Sequence, residues 1–275
     1  MNTQNETVYI LGHSPAEIRR LMTQAEILRP ITERLLLNAG IGFGMRILDI
    51  GCGAGDVAML AAELVGPSGS VVGIDRNPQV LATARERAQT VDLRNVSFEE
   101  ASPETLVNKG GAFDLVVGRY VLIHQPDPVT LLRDAARLVK PGGSLAFHEI
   151  RLSQKCASVP NVPIFELIEL LIRMAFSCAL PNYDAGDRLI QHFSQAGLPE
   201  PKLFSETPVW GSQEAPLGWL VDTLRSLSSQ LQRMGIVLKE LMATDSLEGR
   251  LRDAILTTRS QISGPGQICA WARLS

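Results

Sequence analysis

The run Arg46-Ile47-Leu48-Asp49-Ile50-Gly51-Cys52-Gly53-Ala54-Gly55-Asp56 constrains this chain more than any other stretch. An apolar segment ends at an acid, three glycines alternate, and a helix-compatible sequence begins near Val57. The pattern predicts a buried strand, a tight loop and a helix N-terminus. Glycines at 51, 53 and 55 permit positive φ and let a ligand lie against bare backbone. The helix start adds unpaired N–H groups and a partial positive charge. A site for a nucleotide or nucleoside cofactor is the first expectation.

Strand and helix then alternate to about residue 150. Strands are predicted at 46–50, 70–74, 95–98, 113–117 and 144–150. The first helix runs from about Val57 to Val65. A second, capped by Asn77-Pro78, carries Val80, Leu81, Ala84 and Ala88 on its apolar face. A third, capped by Asp127-Pro128, carries Leu131, Leu132, Ala135, Leu138 and Val139, and Lys140-Pro141-Gly142-Gly143 stops it. Short apolar strands separated by helices predict an α/β fold with a parallel sheet wrapped on both faces.

The flanks are helical. Ser14-Pro15-Ala16-Glu17 reads as a capping box, followed by Ile18, Leu21, Met22, Ala25 and Leu28 at helical spacing. Pro30 is expected to interrupt or kink that run, with a second piece through Leu35-Leu36-Leu37 ending at Gly40. Beyond residue 150, Val162–Leu180 is strongly apolar, but Glu166, Glu169 and Arg173 break it, which argues against a bilayer span. An amphipathic helix packed in the core or lining a substrate cavity fits that stretch. A helix over 184–196, a strand over 202–210, a mostly helical 214–262 and a final strand over 268–272 complete the reading. One elaborated domain is expected: a helical cap (1–44), a cofactor-binding core (45–150), and a helical lid with the last strands (151–275).

Composition narrows the function. A net charge of −3 gives no general attraction to a phosphate backbone, so nucleic acid is not the expected partner. The four cysteines and four histidines lack ligand spacing, which predicts free thiols, a reducing cytoplasmic setting and no metal. No basic segment followed by an apolar one opens the sequence, so no secretory signal is expected. The oligomeric state is not encoded in any readable way.

The glycine loop departs from a dinucleotide fingerprint, which wants GxGxxG. Here the spacing is GxGxG, with Asp56 directly after it. An acid at that helix start is awkward for pyrophosphate and suits a phosphate-free ligand with cationic groups, such as S-adenosylmethionine. Leu48-Asp49-Ile50-Gly51-Cys52-Gly53-Ala54-Gly55 resembles motif I of the class I S-adenosylmethionine-dependent methyltransferases. Gly73-Ile74-Asp75, Phe113-Asp114-Leu115-Val116-Val117 and Leu138-Val139-Lys140-Pro141-Gly142-Gly143 resemble three later motifs of that family, in order. The resemblance covers about 45–150 and lies closest to the small-molecule branch related to quinone-biosynthesis methyltransferases. It implies a Rossmann-like, seven-stranded, mostly parallel sheet.

The same resemblance implies site residues. Asp75 would bind the ribose hydroxyls, with Arg76 beside it. Asp49, Gly51, Cys52, Gly53, Gly55 and Asp56 would surround the loop, Asp49 acting on the ammonium group or on loop amides. Arg119 and Tyr120 would hold the methionine end. Ala101 and Ser102 stand where the family usually has an aspartate for the adenine amino group, a departure that weakens this contact. Tyr9 and Gln24 could close over the cofactor. His124, with Glu149 at the end of the fifth strand, are the candidate bases. His148 and Glu149 face opposite sides of a regular strand, and Glu149 is the one expected in the cleft.

The expected reaction is transfer of a methyl group to an O, N or C atom of a small, largely hydrophobic acceptor, with S-adenosylhomocysteine as product. Two other readings remain open at this point. One is a nicotinamide-dependent oxidoreductase, and the other is a non-catalytic protein with a degenerate cofactor site.

Overall fold

A computed structural model describes residues 15–106, 112–237 and 247–275. The alternation of the sequence becomes β1 (Arg46–Ile50), α2 (Asp56–Val65), β2 (Ser70–Asp75), α3 (Pro78–Thr90), β3 (Val96–Glu100), the single turn α4 (Pro103–Leu106), β4 (Phe113–Arg119), α5 (Pro128–Leu138) and β5 (Val139–Arg151). With β7 (Lys202–Glu206) and β10 (Gly266–Arg273) these strands form a seven-stranded sheet in the order β3-β2-β1-β4-β5-β10-β7. The first five pair in parallel, while β10 runs antiparallel to both β5 and β7. Successive residues of the central strands enter different cores. Leu48, Val116 and Phe147 pack on one face, and Ile47, Val117 and Ala146 on the other. Such double burial explains why the strands read as flat apolar runs rather than as alternating ones.

Ahead of the sheet lies one continuous helix, α1 (Pro15–Asn38), which passes through Pro30. The interruption expected there does not occur. Leu28, Ile31, Leu35 and Leu36 around the proline are all buried against α2 and the sheet, and tertiary packing overrides the local penalty. The Ser14 cap lies outside the described residues.

After β5 the chain builds β6 (Ala157–Val159), α6 (Pro163–Ala179), α7 (Leu189–Gln195), β8 (Val209–Trp210), α8 (Leu217–Ser226), α9 (Ser228–Arg233), α10 (Leu247–Thr258) and β9 (Gln261–Ser263). A 3-10 turn, Ala185–Arg188, precedes α7, so the single helix expected over 184–196 is split. The strand expected over 202–210 is also split at Thr207-Pro208. Its second part pairs with β9, which in turn pairs with β6, giving a three-stranded antiparallel sheet that the sequence did not announce. Proline cannot donate to a ladder, and this one sits where the chain changes sheets. Phe165, Ile168, Leu224, Leu251 and Ile262 join the small sheet and its helices in a separate core. Among the described residues no helix is long and apolar enough to cross a membrane.

Candidate active site

Strand order reverses between β1 and β4, and open α/β sheets bind ligands outside the carboxyl ends of the strands at that point. A cavity of about 1140 Å³ lies there. Of the residues singled out in the sequence, it brings together Gln24, Asp49, Gly51, Cys52, Gly53, Asp56, Asp75, Arg76, Ala101, Ser102, Arg119, Tyr120 and His124. The cavity continues past them to β5, α6 and α8.

The loop is built from three left-handed glycines, with φ of 62° at Gly51, 52° at Gly53 and 87° at Gly55. They do different jobs. A Cβ on Gly53 would meet nothing within 4 Å, so its bare face opens on the cavity. A Cβ on Gly55 would come within 2.9 Å of the Phe98 ring and 3.1 Å of Ala84. Gly55 does not line the cavity. Its expected cofactor contact is therefore corrected to a packing role at the N-cap of α2. The loop is tied to the next strand through Asp75: Gly53 donates its amide to Oδ2 at 3.0 Å, and Asn77 donates to Oδ1 at 2.9 Å.

Asp49 is 1% exposed, and its Oδ2 has no hydrogen-bond partner among the described residues. Burial pushes its carboxyl up to about 8, against the opposing pull of Arg119 and of the Ala58 amide. Cys52 is likewise buried, and burial pushes its thiol up out of the range in which it could act as a nucleophile. Asp56 does not stand as an uncompensated charge. It lies 2.7 Å from Arg87 and 3.6 Å from Arg119, so its acid alone does not discriminate against pyrophosphate as the sequence suggested. The shorter contact is an ion pair without hydrogen-bond alignment, because Asp56 Oδ1 makes no hydrogen bond.

At the end of β4, Tyr120 adopts φ 56°, a strained value for a non-glycine residue, and its hydroxyl donates to Gln267 at 2.7 Å. His124 lies in the 3-10 turn Leu122–His124, and burial pulls its imidazole down to about 4. Glu149 needs correction as a candidate base. It is fully buried, it does not line the cavity, and its Oε1 accepts the amides of Val121 at 3.0 Å and Leu122 at 2.8 Å. It positions the turn that carries His124. His148 is not in the cleft either, since its ring nitrogens lie 3.0 Å from Thr32 Oγ1 and 3.0 Å from Gln267 Oε1. Tyr9 lies outside the described residues.

Sequence reading missed several wall residues. Arg20 sits one helical turn before Gln24 and donates to its Oε1 at 2.9 Å. That i, i+4 spacing was a usable signal. Glu104 pairs with Arg76 at 2.6 Å beside Ser102, bringing a carboxylate close to where the expected aspartate is absent. Glu169, Ile172, Arg173 and Phe176 form one stripe of α6 along the far wall, continued by Leu180 just past the helix and joined there by Trp219 and Thr223 of α8. The stretch expected either to pack in the core or to line a cavity does both, since Ile168 and Ala175 of α6 are core residues.

Comparison with known proteins agrees with this geometry. Residues 41–191 match a family described as a methyltransferase domain. The chain is 40% identical over 122 residues to aklanonic acid methyltransferase DauC of Streptomyces sp., covering 44% of this chain and 56% of that protein. It is 37% identical over 121 residues to an arsenite methyltransferase of Aquipseudomonas alcaligenes, covering 42% of this chain and 35% of that protein. With a demethylmenaquinone methyltransferase of Lactococcus lactis subsp. lactis it shares 34% identity over 123 residues, covering 45% of this chain and 46% of that protein. The chain thus matches between about a third and just over half of the length of these relatives. In overall fold it is similar to a crystal structure of a methyltransferase-like protein from Bacillus halodurans, with a TM-score of 0.57, 17% identity, and coverage of 88% of this chain and 97% of that one.

Proposed function

This chain belongs to the methyltransferase domain family, and we propose that it uses S-adenosylmethionine as its cofactor and catalyses methyl transfer to a small, largely apolar acceptor. The observation that carries the reading is a single cavity whose two ends differ. One end has bare glycine backbone, Asp49 and Asp75, and the other has Ile172 and Phe176 of α6 with Leu220 of α8.

The residues at the loop end fit this cofactor. Asp49 presents a buried, unpartnered oxygen, which suits an ammonium group. Asp75 uses one lone pair of each oxygen on a backbone amide and keeps others for ribose hydroxyls. Arg76 and Arg119 on the cavity wall are already ion-paired, which leaves poor provision for a pyrophosphate. Arg119, Tyr120 and Gln24 would border the methionine end, and Ala101, Ser102 and Glu104 the adenine.

Bound S-adenosylmethionine supplies an electrophilic methyl group on a sulfonium. What this chain contributes is position and exclusion of water. Ile150, Leu152, Ile172, Phe176, Leu180 and Leu220 offer an apolar wall against which a ring system can be held. Glu149 fixes the amides of the turn before His124, keeping that imidazole at the cavity wall. His124, with its depressed pKa, is neutral at pH 7, so it can accept a proton or a hydrogen bond from an acceptor hydroxyl but is a weak base.

The relatives are named for aklanonic acid, demethylmenaquinone and arsenite. An apolar wall favours an organic acceptor over arsenite. Cys52 and Cys156 reach the cavity, but burial, reinforced by nearby carboxylates, holds both thiols protonated, a poor provision for a thiophilic metalloid. Four unpaired cysteines accord with a reducing, cytoplasmic setting, and the net charge of −3 accords with no nucleic-acid partner. Residues 1–275 are read as one elaborated domain in which 151–275 supply the lid. The test is incubation of the protein with deuteromethyl-labelled cofactor and a small-molecule extract. A labelled aromatic product with matching S-adenosylhomocysteine supports the reading, and label found only in water-soluble ions or macromolecules contradicts it.

A further inference from the structure

The lid end of the cavity is not uniformly apolar. Glu169 of α6 is 4% exposed and lines the cavity, where one carboxylate oxygen accepts from Arg173 Nε at 3.1 Å. Its other oxygen, Oε2, is buried and has no hydrogen-bond partner among the described residues. Trp219 of α8 lines the same cavity, and its indole N–H is also buried without a partner among those residues. Buried polar atoms are nearly always satisfied, and leaving one unmade costs as much as a lost hydrogen bond. Here an orphaned acceptor and an orphaned donor occur on two packed helices facing one cavity. The other Glu169 oxygen already meets Arg173.

We propose that Glu169 Oε2 and Trp219 Nε1 form a polar subsite that selects an acceptor carrying a hydroxyl donor and a carbonyl oxygen on an otherwise apolar ring system. The inference rests on the methyl-acceptor reading of this cavity. Glu169 accepts the hydroxyl proton in a hydrogen bond, and Trp219 donates to the carbonyl. Ile172, Phe176 and Leu220 cover the ring faces between them. Arg173 already occupies Glu169 Oε1, so a ligand that brings only acceptors leaves Oε2 unsatisfied. A site built to hydrogen-bond a hydroxyl rejects the analogue lacking it far more strongly than an apolar pocket discriminates size. The substrate class is thus a hydroxylated aromatic ketone or quinone, not a plain hydrocarbon or a fully alkylated ring.

The probes are 7-hydroxyflavone, 7-methoxyflavone and flavone, titrated by fluorescence into the full chain saturated with S-adenosylhomocysteine. The wild type is expected to prefer 7-hydroxyflavone over the other two by about tenfold or more. Glu169→Leu is expected to abolish that preference, and Glu169→Gln, whose carbonyl can still accept, to retain part of it. Trp219→Phe is expected to weaken all three flavones by a similar factor, since each has the carbonyl. Affinity for S-adenosylhomocysteine, measured alongside, should be unchanged in every variant. Wild-type protein that does not distinguish the flavones, or a Glu169→Leu variant that keeps the preference, overturns the subsite while leaving the cofactor reading intact. Wild-type protein that does not bind S-adenosylhomocysteine overturns the underlying reading instead.

Discussion

Gly53 donates its amide to the Asp75 carboxylate at 3.0 Å, so the tip of the glycine loop and the carboxyl end of β2 form one unit. Asp75 thereby has two duties, loop closure and ribose binding. Asp75→Ala should lower S-adenosylmethionine affinity by about 10- to 100-fold, the range for losing charge-assisted hydrogen bonds. Asp75→Asn, which keeps one carbonyl oxygen, should fall between it and the wild type. Titration calorimetry measures both, and an unchanged affinity for Asp75→Ala would refute the ribose role.

The loop glycines should separate stability from binding. Gly55→Ala forces a Cβ against Phe98 and Ala84 at a left-handed backbone, so it should cost about 2–4 kcal/mol of stability. Gly53→Ala has the same backbone strain but open space ahead of it, so its stability cost should be about 1–2 kcal/mol. Its methyl group projects into the cavity, and the larger effect should be lost cofactor affinity. Urea unfolding and calorimetry on the two variants check the contrast; equal effects of both substitutions on both quantities would contradict it.

Asp49 makes a proton-linked prediction. Burial holds its carboxyl at about 8, so it is protonated at pH 6.5 in the free protein. An ammonium group docking on it would favour the ionised form and release about one proton. Calorimetry at pH 6.5 in buffers of different ionisation enthalpy should detect that release, and Asp49→Asn should abolish it. Binding with no proton release would remove Asp49 from the ammonium site.

Glu149 should leave a signature in stability against pH. Its folded pKa, about 8, lies above the ordinary carboxyl value, so the native state holds a proton that the unfolded chain has lost. The contribution is full below pH about 4.5 and is lost as pH rises to about 8, at up to about 1.4 kcal/mol per pH unit. His148, drawn down to about 3 by burial, acts oppositely, adding stability as pH rises from about 3 to about 6.5. Comparing wild type with Glu149→Gln isolates the first effect, because glutamine can still accept the amides of Val121 and Leu122. The stability difference should shift in favour of the variant between pH 4.5 and 8. A difference independent of pH would contradict this account of Glu149.

The parts of the fold that could be read in advance are those set by local chemistry. The β1 loop, Asp75 at the end of β2 and the Asn77 and Asp127 caps each rest on a few adjacent residues whose backbone demands are strong. What escaped depends on partners far along the chain. Pro30 is tolerated because Leu28, Ile31 and Leu35 find a core, which no local pattern announces. β6, β8 and β9 are only two or three residues long, too short for any periodicity. At the site, strand alternation limited His148 and Glu149 to one cavity-facing residue, but their partners, Gln267 from the far end of the chain and the amides after β4, draw both away from it. Asp56 looked like an isolated acid until folding brought Arg87 and Arg119 to it.

The claim on which everything else rests is that the glycine loop holds a methyl donor and not a dinucleotide. Parallel calorimetric titrations of the wild-type protein with S-adenosylmethionine and with NAD test it most directly. The account predicts saturable one-to-one binding of S-adenosylmethionine and no measurable heat with NAD. Binding of NAD without S-adenosylmethionine would contradict it.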